Sequence, residues 1–201
     1  DLHLLSRRQR QMCIRDSLIT VLLIGYFMIL AVGNGYVYDE TNVLSIVDRA
    51  VLGQAHIYGG AILDPEGLLS TISAVAHVMI GFCAGKLLME VKDIHEKLER
   101  LFLIGTILTF AGFLLSYGSP ICKKIWSPSF VLITCGMGSS FLALLVWIID
   151  IKGYKGWSRF FESFGVNPLF IYVLADILAI LFAMIPMTYA GEPTSLHGYI
   201  Y

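Results

Sequence analysis

Residues 130–149 read FVLITCGMGSSFLALLVWII, a run of 20 residues without a charged side chain. An α-helix needs about 20 apolar residues to cross roughly 30 Å of hydrocarbon, so this run has the length of a membrane-spanning helix. Four further apolar stretches approach or reach that length: residues 18–33, 67–89, 101–117 and 168–187. The sequence therefore predicts an all-α fold, a polytopic transmembrane helical bundle of about five spans.

The overall composition excludes an ordinary soluble domain. The chain is 57% hydrophobic and only 14% charged, whereas soluble domains carry about 25% charged residues. Its net charge of −1 argues against a nucleic-acid partner. The four cysteines are scattered without a metal-ligand spacing, so we predict no metal site.

The first 17 residues, DLHLLSRRQRQMCIRDS, differ sharply in composition from residues 18–201. They are polar and basic, and they lack the short apolar core and small-residue cleavage site of a secretory signal. The string QMCIRDS resembles translated adapter sequence, so we expect residues 1–17 to be non-native. The alternative is a genuine basic cytoplasmic arm. Residues 18–201 are predicted to form one transmembrane helical domain.

The loop charges predict an orientation in the membrane. Residues 86–100 and 150–164 together hold seven Lys and Arg, whereas residues 34–66 and 117–129 hold three. Cytoplasmic loops carry the excess of Lys and Arg in membrane proteins. We therefore expect the first pair of loops to face the cytoplasm and the long segment 34–66 to face outward.

Local signals refine the helix boundaries. Asn167 and Ser127 each precede a proline, which is typical of an N-cap followed by the first helical turn. Residues 91–100 place opposite charges four apart and are predicted to extend the third span into the cytoplasm. Gly81 and Gly85 have the small-xxx-small spacing of a helix-packing seam.

The outward segment before the second span concentrates the polar side chains that could carry chemistry. It contains Asp48, Arg49, His56, Asp64 and Glu66. Connections longer than about 12–15 residues are often functional, and this one is apolar enough to pack. We expect it to fold over the outer end of the bundle as an ordered lid, with Asp64 as the N-cap of the second span. His56 should then lie near a cavity entrance, and Asp48 and Arg49 could pair to order the segment.

His77 and Asp176 fall deep inside predicted spans. An ionisable group in a membrane is costly and is a default site candidate, which applies to His77 and Asp176. Each could line a site, and each could equally serve a hydrogen bond between helices.

A series of residues in colinear order resembles a known family. The matching residues are Asp48-Arg49, Leu52-Gly53, His56-Ile57-Tyr58, Asp64-Pro65-Glu66-Gly67-Leu68, Ser70-Thr71-Ile72, Gly81, Ala84-Gly85-Lys86, Lys124 and Trp126-Ser127-Pro128-Ser129, Asp150 with Lys152-Gly153, and Gly165 with Asn167. This series resembles the membrane acetyltransferases related to heparan-α-glucosaminide N-acetyltransferase, including their bacterial members. The resemblance covers about residues 20–180.

The resemblance implies transfer of an acetyl group from cytoplasmic acetyl-CoA to an amino sugar on the other side of the membrane. The outward residues Asp48, Arg49, His56, Asp64 and Glu66 are then candidates for substrate binding. His77 and Asp176 are also candidates, because they are ionisable groups inside predicted spans and not because they match the family. Lys86, Lys152 and Lys155 are candidates for attracting the CoA phosphates, although their role in setting membrane topology is the favoured explanation. The lipid bilayer is the expected surrounding, and a bacterial inner membrane the expected location. A homo-oligomer is an open alternative to a monomer.

The family carries its candidate catalytic histidine in an outward-facing segment before these spans. No residue here matches that motif, so we assign no catalytic residue. The expectation is a C-terminal part of a larger acyltransferase bundle, whose missing N-terminal helices are its partner, and enzymatic activity of these residues alone is uncertain. Two other interpretations stay open. A transporter of a sugar or similar solute would use His77 and Asp176 as a pathway, although no pseudo-symmetric halves are visible; a non-catalytic membrane scaffold would use neither.

Overall fold

A computed structural model describes residues 2–57, 61–189 and 192–200. The helices are α1 (Leu2–Val32), α2 (Val43–Leu52), α3 (Ser70–Glu90), α4 (Ile94–Leu115), α5 (Pro128–Val146), α6 (Ser158–Val166), α7 (Pro168–Met184) and α8 (Leu196–Ile200), and the strands are β1 (Pro186–Tyr189) and β2 (Glu192–Ser195). The chain divides into two compact units, Asp1–Ile151 and Lys152–Tyr201. Each unit is described by itself.

Four helices are long and apolar enough to cross a membrane. Within the described residues they are Cys13–Val32 of α1, Ser70–Glu90, Ile94–Leu115, and Pro128–Ile151, which is α5 with the π-helical turn Trp147–Ile151 that follows it. A fifth span is present if the bent pair α6–α7 counts as one. This confirms the predicted all-α polytopic fold. The protein is a multi-pass integral membrane protein, and its apolar helix surfaces contact lipid. Its helices suit the bilayer because their backbone N–H and C=O groups are hydrogen-bonded within each helix.

The structure confirms some of the predicted helix boundaries and not others. Residues 94–100 continue α4 as expected, with Asp93 accepting a hydrogen bond from the His95 backbone and Glu96 paired to Arg100 at 2.5 Å. Ser127 caps α5 by accepting a hydrogen bond from the Phe130 backbone. Asn167, by contrast, makes no side-chain cap bond at the start of α7.

The packing seam lies on a different pair of helices from the one predicted. Among the described residues, nothing lies within 4 Å of a Cβ built on Gly81 or Gly85, so the predicted seam on α3 does not form with the described helices. The close approach is between α4 and α5, where a Cβ on Gly105 would meet Ser140 and one on Gly136 would meet Thr109. Because glycine has no side chain, the backbones of α4 and α5 approach closely at Gly105 and Gly136, as they do at small residues in other membrane bundles.

One end of the first unit is closed by its own loops. α2 and the segments 33–42, 53–57, 61–69 and 116–127 pack there, and this end is called the capped end below. Its core consists of the buried residues Tyr26, Leu30, Leu44, Leu63 and Ile125. The Tyr26 hydroxyl donates a hydrogen bond of 2.5 Å to the Ile125 carbonyl, which fixes α1 to the turn before α5. Asp48 and Leu63 of the predicted lid are buried at this end, whereas residues 58–60 lie outside the described residues. That this end faces outward, as a lid requires, stays a prediction.

The second unit is small and largely exposed. α6 and α7 meet at 93° at Asn167-Pro168. Antiparallel strands β1 and β2 come next, with Met187 opposite Thr194, and α8 ends the described chain. The last apolar helix, α7, ends at Met184, three residues before the predicted boundary at residue 187. It ends there because Pro186 begins β1.

Candidate functional site

A buried carboxylate holds the capped end together. Asp48, on α2, is 1% exposed; its Oδ1 accepts a hydrogen bond of 2.9 Å from the Leu68 backbone. Its Oδ2 is buried without a hydrogen-bond partner among the described residues. A Cβ on Gly67 would collide with this carboxylate, so only glycine lets the chain before α3 approach it.

The environment of Asp48 changes its titration. Burial raises the pKa of this carboxyl above its ordinary value, the Leu68 hydrogen bond opposes that effect, and nearby Asp64 adds to it. Because the folded pKa is raised, the contribution of this group to stability is fully present at low pH. It is lost as the pH rises through the folded pKa.

Asp48→Asn tests this assignment, because the amide keeps the oxygen that accepts from Leu68 and removes the titration. As the pH falls from 7 through the raised pKa of Asp48, we expect the unfolding midpoint of the wild type to rise relative to that of Asp48→Asn. Thermal unfolding in detergent across this range measures the effect. Glu66→Gln, which changes an exposed acid in the neighbouring turn, is the matched control. A difference between wild type and Asp48→Asn that does not vary with pH would contradict the assignment.

The other predicted residues of this segment lie elsewhere. Arg49 pairs with Glu40 at 3.3 Å, and no ion pair of the described chain joins it to Asp48. His56 is exposed, with its Nδ1 2.8 Å from the Leu52 carbonyl of its own segment. The expectation that His56 lies sheltered near a cavity entrance is therefore wrong.

The Asp64-Pro65-Glu66-Gly67 stretch forms a turn rather than a helix start. The Asp64 side chain accepts a hydrogen bond of 2.9 Å from the Glu66 backbone, and α3 begins only at Ser70, after Leu69. The predicted role of Asp64 as N-cap of the second span is therefore wrong. Physically, the Leu68 backbone N–H is satisfied by Asp48 instead.

His77 lies at the centre of an aromatic group within the bundle. Its ring centroid is 5.8 Å from that of Trp126 and 6.4 Å from that of Phe130. The His77 Nδ1, the Trp126 Nε1 and the hydroxyl of Ser73, one turn before His77, are all buried without a hydrogen-bond partner in the described chain. Trp126 also has a positive φ of 51°, a conformation that bulky residues seldom adopt.

Each of these three atoms has hydrogen-bonding capacity that no described residue meets. A buried donor or acceptor left unpaired costs about 1–3 kcal/mol, so a ligand or water that supplies partners is favoured there. Neutral imidazole offers one donor and one acceptor, and the indole offers a donor. His77 was predicted from sequence, whereas Ser73 and Trp126 were not. Trp126 lies 49 residues after His77, so only the tertiary structure brings it to α3. The sequence alone gives no sign of this contact.

The remaining candidates do not join this group. Lys86 pairs with Glu90 at 3.4 Å, at the end of α3 away from the capped end. Lys152, Lys155 and Asp176 belong to the second unit, and all three are exposed. In the described ranges, no group of three or more His, Cys, Asp or Glu could hold a metal ion.

Comparison with known proteins gives two curated relatives. The chain is 30% identical over 154 residues to heparan-alpha-glucosaminide N-acetyltransferase of Mus musculus and 32% identical over 149 residues to that of Homo sapiens. These alignments cover 66% and 63% of this chain, but 23% and 22% of the two relatives. No family model matches the sequence. At the level of the family, this chain therefore resembles the heparan-alpha-glucosaminide N-acetyltransferases.

Proposed function

We propose that this chain is part of an integral membrane acetyltransferase that moves an acetyl group from cytoplasmic acetyl-CoA to an amino sugar on the other side. The observation that carries the proposal is the colinear similarity to two membrane N-acetyltransferases at 30% and 32% identity. In this proposal the capped end faces outward, supported by the Lys and Arg excess in the opposite loops. A bacterial inner membrane is the location that we propose.

The buried polar group supplies a place for the acceptor. His77, Ser73 and Trp126 lie on the capped-end side of the bundle, where an amino sugar entering from outside would arrive. A neutral imidazole can accept a hydrogen bond from an attacking amine, and an apolar surround strengthens that bond because water does not compete. Asp48 supports this site from α2 by fixing the start of α3, the helix that carries His77.

The donor side is the opposite end. Lys86 lies at the end of α3 away from the capped end. The excess of Lys and Arg in the sequence assigns Lys152 and Lys155 to the cytoplasmic side as well. Lysine ammonium groups attract phosphate as point charges, and we propose that they draw acetyl-CoA to this face. Holding donor and acceptor together in one bundle would supply much of the rate by positioning.

The test is an acetyl-transfer assay on membranes from cells that express the complete reading frame encoding these residues. We expect radiolabelled acetyl-CoA to give N-acetylated glucosamine above the level of membranes without the protein. Sealed vesicles of known orientation should require acetyl-CoA on the cytoplasmic side and glucosamine on the other. The proposal fails if no product forms and the purified protein does not bind CoA.

A second candidate, transport of a sugar or similar solute, is favoured by one specific observation. The 93° bend between α6 and α7 lies at an apolar helix pair that carries Asp176, and broken helices are common at transporter sites. Flux of labelled glucosamine across sealed vesicles without acetylation would favour this candidate. Acetylated product appearing without flux of unmodified sugar would exclude it.

A further inference from the structure

One face of α6, in the second unit, is aromatic and exposed within the described structure. The ring centroid of Phe160 lies 5.2 Å from that of Phe161 and 4.8 Å from that of Phe164. Trp157, the residue before the helix, adds a fourth ring 5.6 Å from Phe161. Phe160 and Phe161 are nevertheless 63% and 59% exposed. These four residues are called the aromatic patch below. A contiguous exposed apolar patch of this kind marks a surface that contacts another molecule or a membrane.

The opposite face of α6 is polar. With 3.6 residues per turn, Arg159, Glu162 and Ser163 fall on the side of the helix away from the aromatic patch. The Ser158 hydroxyl donates a hydrogen bond of 3.1 Å to the Glu162 carboxylate. A short helix with aromatic residues on one face and polar residues on the other is typical of a helix that lies in the plane of a membrane surface.

The bend between α6 and α7 sets the direction of α6. The two helices meet at 93°, because Asn167 leaves the helical conformation with a φ of −129° and a ψ of 61° and Pro168 restricts the residue before it. Apart from Asp176, α7 is apolar, and its 17 residues reach the lower limit of length for a spanning helix. With α7 crossing the bilayer, the bend lays α6 along the membrane surface.

A run of cations leads into the aromatic patch. Residues 152–159 read KGYKGWSR and contain Lys152, Lys155 and Arg159 without an acid. Lys155 and Arg159 are exposed, and neither forms an ion pair with another described residue. Anionic phospholipids of the cytoplasmic leaflet attract Lys and Arg that lie next to a spanning helix. The charge of this run is therefore complementary to a surface of lipid phosphates.

We propose that α6 is an interfacial helix that binds anionic phospholipid: the aromatic patch inserts among the upper acyl chains while Lys155 and Arg159 contact headgroup phosphates. This assignment does not rest on the proposed acetyltransferase function. The phosphates of CoA share the chemistry of a headgroup, but a soluble cofactor offers no acyl layer to cover four aromatic rings. Another protein segment that covers the patch is the competing explanation of its exposure.

The depth of Trp157 in the bilayer tests the insertion. The full chain is reconstituted in phosphatidylcholine vesicles whose acyl chains carry bromine, a tryptophan quencher, either near the headgroup or near the terminal methyl. The difference in emission between the wild type and Trp157→Phe isolates the signal of this residue. An interfacial helix lies about 5–10 Å deep, so we expect the shallow bromine to quench about twofold more than the deep one. Absence of quenching by both would place Trp157 against protein or in water and overturn the proposal.

The same signal measures the lipid preference of α6. Mixed vesicles of phosphatidylglycerol and phosphatidylcholine carry bromine on one lipid or on the other, and the ratio of the two quenching values gives the relative occupancy around Trp157. We expect about a threefold preference for phosphatidylglycerol, because Lys and Arg near the surface attract anionic lipid. Lys155→Gln should lower this preference, and Lys155→Gln combined with Arg159→Gln should abolish it. Lys92→Gln, which removes the same charge at an exposed lysine of the first unit, should leave it unchanged.

The aromatic patch has its own matched control. Phe160→Ser combined with Phe164→Ser should lower the shallow quenching of Trp157 by about half or more, because it removes two of the rings that hold α6 in the interface. Ser163→Ala, on the polar face of the same helix, should leave the quenching unchanged. Unfolding midpoints equal to that of the wild type show that the variants are folded, and the two wild-type measurements test the proposal without any variant beyond Trp157→Phe.

Three further outcomes overturn the proposal. The first is equal occupancy of the two lipids around Trp157 in the wild type. The second is an equal loss of preference in Lys92→Gln and Lys155→Gln, which shows general surface charge. The third is loss of the preference when excess CoA is added, which makes the cofactor phosphates the occupant. None of these measurements needs acetyl transfer, so failure of the acetyl-transfer assay contradicts the proposed function alone, and failure of the quenching tests contradicts the lipid assignment alone.

Discussion

Gly136→Ala is expected to lower the unfolding midpoint of the protein more than any other single methyl addition on α5. The added Cβ would stand closer than 3 Å to the side chain and backbone nitrogen of Thr109 and to the Gly105 carbonyl. Two of these atoms are backbone, so the helices must separate rather than a side chain rotate. Overpacking of this kind costs about 1–3 kcal/mol, and lost contact along the rest of the seam adds to it.

Gly138→Ala is the matched control for that experiment. Gly138 lies on the same helix, two residues away, and has open space at its Cβ position. The same substitution there should leave the midpoint unchanged or raise it slightly, because alanine favours the helix over glycine by about 1 kcal/mol. Unfolding is followed by circular dichroism in detergent. Equal midpoints for the two variants would show that α4 and α5 do not meet at Gly136.

Under the proposed acetyltransferase function, His77→Phe is expected to reduce acetyl transfer by about tenfold or more. This corresponds to losing one buried hydrogen bond of about 1.4 kcal/mol or more to the proposed acceptor. Phenylalanine preserves an aromatic ring between Trp126 and Phe130 and removes both nitrogens. Steady-state rates on membranes from cells expressing the complete reading frame measure the change. The loss should appear in kcat/KM for the amino sugar, with the KM for acetyl-CoA unaffected.

The stability of the same variant separates a site role from a structural one. His77 Nδ1 has no partner among the described residues, so its removal should not lower the unfolding midpoint. His95→Phe, which changes an exposed histidine at the other end of the bundle, should alter neither rate nor midpoint. A lowered midpoint with an unchanged kcat/KM would mean that His77 serves helix packing instead.

The membrane spans could be predicted from sequence because their signal is local. Run length and the absence of charge located the four long helices, and the spacing of Glu96 and Arg100 correctly extended α4 beyond its apolar part. Ser127 before proline correctly marked the start of α5. Each of these features depends on residues within one or two helical turns of one another.

Features that depend on a partner segment could not be predicted. The spacing of Gly81 and Gly85 matches a seam, but spacing on one helix does not reveal which face meets another helix, and the seam formed at Gly105 and Gly136. Similarly, Asp64 has the local pattern of a cap. The N–H groups before α3 are reached instead by Asp48, 20 residues away from Leu68.

The Tyr26–Ile125 hydrogen bond also bears on the order in which the molecule assembles. Its partners are separated by 99 residues, whereas α4 and α5 are neighbours in the chain and meet along their length. Contacts between nearby segments form before distant ones, because closing a long loop costs more chain entropy. The α4–α5 hairpin should therefore associate first and α1 should dock later. By the same reasoning, the long-range closure at Tyr26 makes the loops around it a separate, late-forming unit of the folding process.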